Sequence, residues 1–361
     1  LKSLMSLWSR VAEESAARCC TSATFDIKTV ERRVEHEGLS FLTITLPELG
    51  KSTQKWIDQG KVGPQHAFTK RESLPLFLGG FFDRVFDRSS GMLLEEPCID
   101  AIIAIRQLTL MFGKLLIPCT PARERKAIRG YIKCEQDVRK FDMEVSQKDL
   151  INFRRMSNLL FRDVFTQMDR DIYYGELLPK HGPGSTADGL TSNGKYLMKT
   201  WTSRLEGIFP AHEYLIPNYH FTGDLDQVNI LEPGAEIPVK VISVPKTLKT
   251  PRIIAMEPAS MQYAQQALLR CFLSALKRDE LLSQMIGFDD QFPKQELARQ
   301  GSLNQETATL DLSDASDRVS NQLVREMVRQ WPHLHKAVDA CRSRRAEVPD
   351  HGVIRLSKYA S

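Results

Sequence analysis

"TATLDLSDASDRVSNQLV", residues 307–324, carries Asp311, Asp314 and Asp317 three positions apart, where an apolar run gives way to helical spacing. No basic residue precedes Arg318 in the stretch. Carboxylates this close repel one another unless positive charge reaches them. Helix capping explains part of the pattern. With Ser313 as N-cap, Asp314 falls in the first turn, where it favours the helix dipole. Asp311 lies two positions before that cap, on the expected strand, where aspartate is depleted. A strand-end aspartate suits a hard cation, and Mg2+ is commonly held by one or two carboxylates together with substrate phosphates. The pattern predicts a strand over 307–312. It also predicts a helix with Val319, Leu323, Met327 and Trp331 on one face, stopped by Pro332.

Upstream, "IPVKVISV" (237–244) and "RIIAM" (252–256) read as two strands joined by "PKTLKTP", which is turn chemistry. From Ile237 to Met256 there are Lys240, Lys246, Lys249 and Arg252 and no acidic residue. Lysines supply point charges and arginine a planar fork for phosphate oxygens, while a solvated hairpin tip explains the same charges without a ligand. "SMQYAQQALLRCFLSALKR" (260–278) reads as a helix capped by Ser260. "LLPKHGPGSTADGLTSNGK" (177–195) reads as a loop, in which Lys180 and His181 are candidates for contact with an RNA phosphate backbone or simply part of a connector.

The first 170 residues read mostly helical. Thr120 and Pro121 open one helix, and Leu150, Phe153, Leu160, Val164 and Met168 mark the face of the next. The apolar stretch 98–118 is broken by Asp100, Arg106 and Lys114, so it reads as a core helix and not a membrane span. Strands and helices in irregular order point to an α+β fold. The net charge of +4 over 361 residues places any nucleic-acid contact on local basic surfaces. Seven scattered cysteines without C-x-x-C spacing argue against a zinc site or a disulfide framework. No signal peptide is visible; the chain opens on Leu1 and not on Met and stops at "LSKYAS" without a closing helix or strand, so both ends are expected to be cut from a longer protein.

"VPKTLKTPRIIAMEPASMQYAQQAL" resembles motif F of the RNA-directed RNA polymerases of levivirus-like RNA phages and of their narna-, mito- and ourmia-like relatives. "DDQFPKQELARQGSLNQETATLDLSDASDRVS" resembles the approach to their motif A and motif A itself, and "HGPG" (181–184) resembles a further replicase element. Position by position, the likeness implies that Asp311 is the catalytic, metal-binding aspartate. It implies that Asp317 helps recognise the ribose and that Lys246, Lys249 and Arg252 contact the triphosphate. Asp314 stands where relatives often have a small residue, and Lys294 where they commonly have Asn. "GFDDQ" (287–291) mimics the Gly-Asp-Asp of motif C but precedes motif A, so Asp289 and Asp290 read as loop residues.

The resemblance implies a right-hand polymerase: residues 1–176 a mainly helical N-terminal part and fingers, 177–300 further fingers with motif F, and 301–361 the start of the palm. It implies nucleotidyl transfer assisted by two Mg2+ ions, with template and product RNA and nucleoside triphosphates as partners in the host cytoplasm. In phage members host elongation factors Tu and Ts join the replicase. Motif C is missing, "YAS" (359–361) resembles the start of motif B, and the chain alone is expected to be inactive. The alternative is a non-catalytic viral RNA-binding or structural protein.

Overall fold

The structure, a computed structural model, describes every residue except 217, 289, 360 and 361. It mixes helix and sheet and divides into two units, Leu1–Ala127 with Ser243–Arg252, and Ile128–Ile242 with Ile253–Ser361.

The first unit is built on α1 (Lys2–Arg18), α2 (Thr24–Glu37), α3 (Leu46–Asp58) and α4 (Ile99–Leu110). Its core is aromatic: Trp8, Phe41, Phe77, Phe81, Phe82 and Phe86 are fully or almost fully buried, and the Trp8 indole donates to the Leu108 carbonyl at 2.8 Å. The expected core helix, α4, buries Ala101, Ala104, Ile105 and Leu108 and exposes Ile99 and Ile103 on the other side. No helix among the described residues is long and apolar enough to cross a membrane. Leu78 adopts φ +57°, and its N–H donates to the buried Asp26 carboxylate at 2.7 Å. Burial, partly offset by that bond, raises the Asp26 pKa to about 6.

Helix α5 (Pro121–Glu144) begins in the first unit and ends in the second. Helix α6 (Gln147–Tyr173) is capped by Ser146, whose hydroxyl accepts from the Asp149 N–H. It buries Leu150, Ser157, Val164, Phe165, Met168 and Ile172, but Leu160, expected on that face, is exposed. Successive residues advance by ~100°, so ten positions from Leu150 lead well off the stripe while seven and fourteen return to it. Helix α7 (Ala259–Arg278) starts one residue before the expected cap: Pro258 is its N-cap, Ser260 is buried within it, and Asp188 accepts the Ala259 N–H at 3.3 Å.

Strands β1 (Val239–Val244), β2 (Arg252–Met256), β3 (Arg345–Val348) and β4 (Gly352–Arg355) form a sheet in the order β2-β1-β3-β4. The β1–β3 pair is parallel, with Val239 opposite Ala346, and β3–β4 is an antiparallel hairpin. Val239, Val241, Ala346 and Val348 from the sheet pack with Ile128 and Tyr131 of α5.

Two expectations fail after α8 (Phe292–Asn304). Residues 306–312 form no strand, and Leu310 and Leu312 are 87% and 76% exposed. A strand persists only where a neighbour takes its N–H and C=O groups, and no described strand pairs with this stretch. The helix expected to run as far as Trp331 ends earlier, at Met327, and a separate helix follows it. Ser320, and not Ser313, is the N-cap of α9 (Asn321–Met327), and Pro332 opens α10 (Pro332–Cys341) where it was expected to end a helix. Proline suits the first helical position because its missing N–H has no partner to lose there. Asp169 accepts the next two amides of α10, from His333 and Leu334, at 2.8 Å each.

Candidate functional site

Three different surroundings hold the three aspartates of 311–317. Asp311 lies on the exposed, unpaired stretch, with no ion-pair partner among the described residues. Asp314 adopts φ +52°, outside any helix, and its carboxylate is 4.0 Å from Arg318 with both side chains exposed. Aspartate tolerates this left-handed conformation better than most side chains. Its place is therefore set by the turn and not by a helix dipole.

Asp317 sits in a single 3-10 turn, Ser316–Arg318, and is held from the far end of the chain. Lys358, with no exposed surface, sends its ammonium to Asp317 Oδ1 at 2.8 Å, while the nitrogen lies 3.4 Å from the centre of the Tyr131 ring. A buried ammonium needs such partners, because removing it from water is costly unless it is paired. The segment bearing Lys358 is fixed by backbone bonds. Tyr359 N–H donates to the Val319 carbonyl at 2.7 Å, Asn321 N–H to the Ser357 carbonyl at 3.0 Å, and Ser357 and Lys358 N–H to the buried Glu135 carboxylate of α5. The Cys134 thiol donates to the Asp317 carbonyl at 3.3 Å. Burial first, then Asp317 and Glu135, push the Tyr131 phenol well above its ordinary pKa, and its hydroxyl has no hydrogen-bond partner among the described residues. Asp317 Oδ1 is thus fixed, and its side chain stays 29% exposed.

Sequence reasoning missed Lys358, Tyr131 and Glu135. The available signal was Lys358 itself, a lysine between an apolar strand and an aromatic residue. Nothing in its spacing named Asp317, which lies 41 positions away.

The basic ribbon belongs to β1, β2 and the bend between them. Lys246, Lys249 and Arg252 are all exposed. Lys249 pairs with Glu48 at 2.7 Å, whereas Lys246 and Arg252 have no ion-pair partner among the described residues. The bend is held from below: Arg123 donates to the Leu248 carbonyl at 3.0 Å, the Cys119 thiol to the Thr247 carbonyl at 3.0 Å, and Leu248 is buried. Side chains at the surface therefore project from a backbone that is already tied down.

In the "HGPG" loop the glycine carbonyls are used inward. The ammonium of Lys195, 1% exposed, donates to the carbonyls of Gly182 and Gly184. His181 stacks on Tyr263 with ring centres 4.4 Å apart and meets Tyr196 edge-on at 4.7 Å. Burial, then the Lys195 charge, lower its pKa, so the imidazole is neutral at pH 7. Lys180 beside it is exposed at the surface. Asp290 caps the start of α8 by accepting the Phe292 N–H at 2.8 Å, as a loop residue; Asp289 lies outside the described residues.

Among the described residues no group of three His, Cys, Asp or Glu side chains could hold a metal ion. Asp311 is free to be one ligand, which falls short of the oxygen shell that Mg2+ requires.

Residues 211–361 match the family model described as RNA replicase, beta-chain. The chain is 34% identical over 151 residues to the RNA-directed RNA polymerase subunit beta of Enterobacteria phage SP, covering 42% of this chain and 25% of that protein. It is 36% identical over 122 residues to the corresponding subunit of Qbeta virus strain MX1, covering 34% of this chain and 20% of that protein. It is 38% identical over 103 residues to the RNA-directed RNA polymerase beta chain of Escherichia phage MS2, covering 28% of this chain and 18% of that protein. The matched part spans a quarter or less of these relatives. The resemblance to levivirus replicases drawn from the motifs is thereby found independently, over the C-terminal part of the chain.

Proposed function

We propose that this chain is part of an RNA-directed RNA polymerase of a levivirus-like virus, contributing fingers and the beginning of the palm of a right-hand fold. It would act in the host cytoplasm on template RNA and ribonucleoside triphosphates. The observation that carries the reading is the turn from Asp311 to Asp317 within the replicase-like stretch: one aspartate is left free and the other is fixed by a buried lysine.

The work assigned to each side chain follows from its surroundings. Lys246 and Arg252 offer unpaired cations for the triphosphate. Lys249 can join them at little cost, because its pair with Glu48 is more than half exposed on both sides, and such pairs are worth ~0–1 kcal/mol. Lys358 holds Asp317 in orientation through Oδ1, which leaves Oδ2 to accept a bond from a ribose hydroxyl. Asp311 is the carboxylate offered to a divalent cation. The remaining ligands and the two-ion arrangement rest on the family likeness alone, and activity of residues 1–361 by themselves is not expected.

The test is RNA synthesis from a primed template by the product of the complete reading frame that contains these residues, beside its Asp311→Asn variant. Mg2+-dependent incorporation that collapses in the variant supports the reading. RNA binding without synthesis, or synthesis indifferent to Asp311→Asn, overturns it in favour of a non-catalytic RNA-binding protein.

A further inference from the structure

The second unit contains a groove of about 1090 Å3 between one side of α9, the exposed side of α10 and the β3–β4 hairpin. Seven arginine or lysine side chains line it against three acidic ones, an excess of four. The whole chain carries a net charge of +4, so the groove concentrates as much positive charge as the entire molecule.

Its acidic residues are already satisfied within the protein. Glu326 is bound by Arg329 at 2.7 Å and by Arg154 at 3.3 Å. Asp339 is bound by Arg344 at 3.1 Å and approached by Arg325 at 3.9 Å, and Asp142 accepts from the Ser320 hydroxyl. Lys336 and Arg355 are exposed and have no carboxylate partner among the described residues. Arg342 is the unusual member. It is 6% exposed, its Nη2 donates to the Leu356 and Lys358 carbonyls, and its Nε has no acceptor among the described residues. Arg342 therefore forms part of the groove wall, its guanidinium anchored to the backbone of Leu356 and Lys358.

We propose that this groove binds the sugar–phosphate backbone of single-stranded RNA. Guanidinium forks suit phosphate oxygens, and the volume exceeds the ~300–1,000 Å3 of ordinary small-molecule pockets. It is too small for a duplex and suits a few linked nucleotides. No Phe, Tyr or Trp lines it, so bases find no stacking surface and binding is indifferent to sequence. The inference rests on RNA being the substrate, but it adds a site apart from Asp311, Asp317 and the ribbon.

The experiment is fluorescence anisotropy of a labelled 20-nucleotide RNA with the purified chain, over a range of salt, without nucleotides or Mg2+. The Lys336→Glu/Arg355→Glu variant should bind at least ~10-fold more weakly. Its salt dependence should be shallower by about 1.4 in log Kd per log salt, from ~0.7 for each of two phosphates no longer neutralised. Both positions are exposed, so circular dichroism should be unchanged. Cross-linking with 4-thiouridine RNA should label peptides between 321 and 357. Unchanged affinity and slope, or cross-links confined to 239–256, overturns the proposal while leaving the polymerase reading intact. Poly-aspartate binding as tightly as RNA also overturns it, marking the groove as a site for an acidic protein. Synthesis indifferent to Asp311→Asn, with groove binding weakened by Lys336→Glu/Arg355→Glu as expected, would overturn the polymerase reading while leaving the groove proposal standing.

Discussion

Asp26 in the first unit and the aspartates of 311–317 in the second answer the same electrostatic problem in different ways. Asp26 is 3% exposed and receives one backbone N–H but no cation among the described residues, so burial wins and its pKa rises to about 6. Asp317 receives a buried ammonium at 2.8 Å. Asp314 has only an exposed guanidinium at 4.0 Å, and Asp311 has no cation among the described residues. The difference teaches that a carboxylate's role follows from what the fold brings to it. One buried with a single amide serves structure, one fixed by a cation is held for orientation, and one left bare in water is available to a ligand.

The widest separation predicted by that comparison is in catalysis. Asp311→Asn keeps shape and removes charge, and RNA synthesis by the complete protein should fall at least ~10²-fold with folding unchanged. An equal loss in Asp314→Asn would erase the distinction between the two.

Asp26 gives the next largest effect, as a pH dependence. Its folded pKa of about 6 lies above the ordinary 3.8, so between these values the folded chain keeps a proton that the unfolded chain releases. The stability Asp26 supports is therefore full below about pH 4 and lost as pH rises through 6. Asp26→Asn should match wild type near pH 4 and exceed it at pH 7 by on the order of 3 kcal/mol. Denaturant midpoints of both proteins across this range check the sign. A constant difference would mean that Asp26 does not titrate there.

A double-mutant cycle sharpens the Asp317 side. Lys358→Met strands a charge, whereas Lys358→Met with Asp317→Asn does not. The coupling should be about 1.5–3 kcal/mol in unfolding free energy, as for hydrogen bonds to charged groups. Additive effects would show that the two groups do not meet in solution. In synthesis, Asp317→Ala should narrow the preference for ribo- over deoxynucleotides by roughly 3- to 10-fold, the worth of one hydrogen bond.

The smallest effect belongs to Asp314→Asn. Asparagine also tolerates φ > 0, and the lost pair is exposed, so stability should change by less than about 0.5 kcal/mol. A loss above ~1 kcal/mol would mean that the turn depends on the charge of Asp314.

Legibility in the sequence differed between two stretches of similar pattern. "IPVKVISV" and "TATLDL" both read as strands. The first forms β1 because β2 and β3 lie beside it, while the second stays unpaired with its leucines in water. Helix positions were read well from period, but their ends were not. Pro332 reads equally as a stop or a start, and Ser313 and Ser320 are equally good caps until the turn between them is known. The candidate site was legible only in its local members. Asp311, Asp317, Lys246, Lys249 and Arg252 stand out by type and spacing, whereas Lys358, Glu135 and Arg342 carry no local mark.

The sequence by itself determined the local matters: an α+β chain, a basic ribbon without acidic residues, three aspartates at fixed steps, and motifs shared with phage replicases. Each depends on residues a few positions apart, where period, charge and turn chemistry act directly. Only the tertiary structure decided which aspartate is free. Lys358 comes to Asp317 across 41 positions and Glu135 to the Lys358 segment across 223, through a fold that buries an ammonium against Tyr131. Charges interact through space, not along the chain, and distances of about 3 Å between such separated residues exist only after the chain has packed.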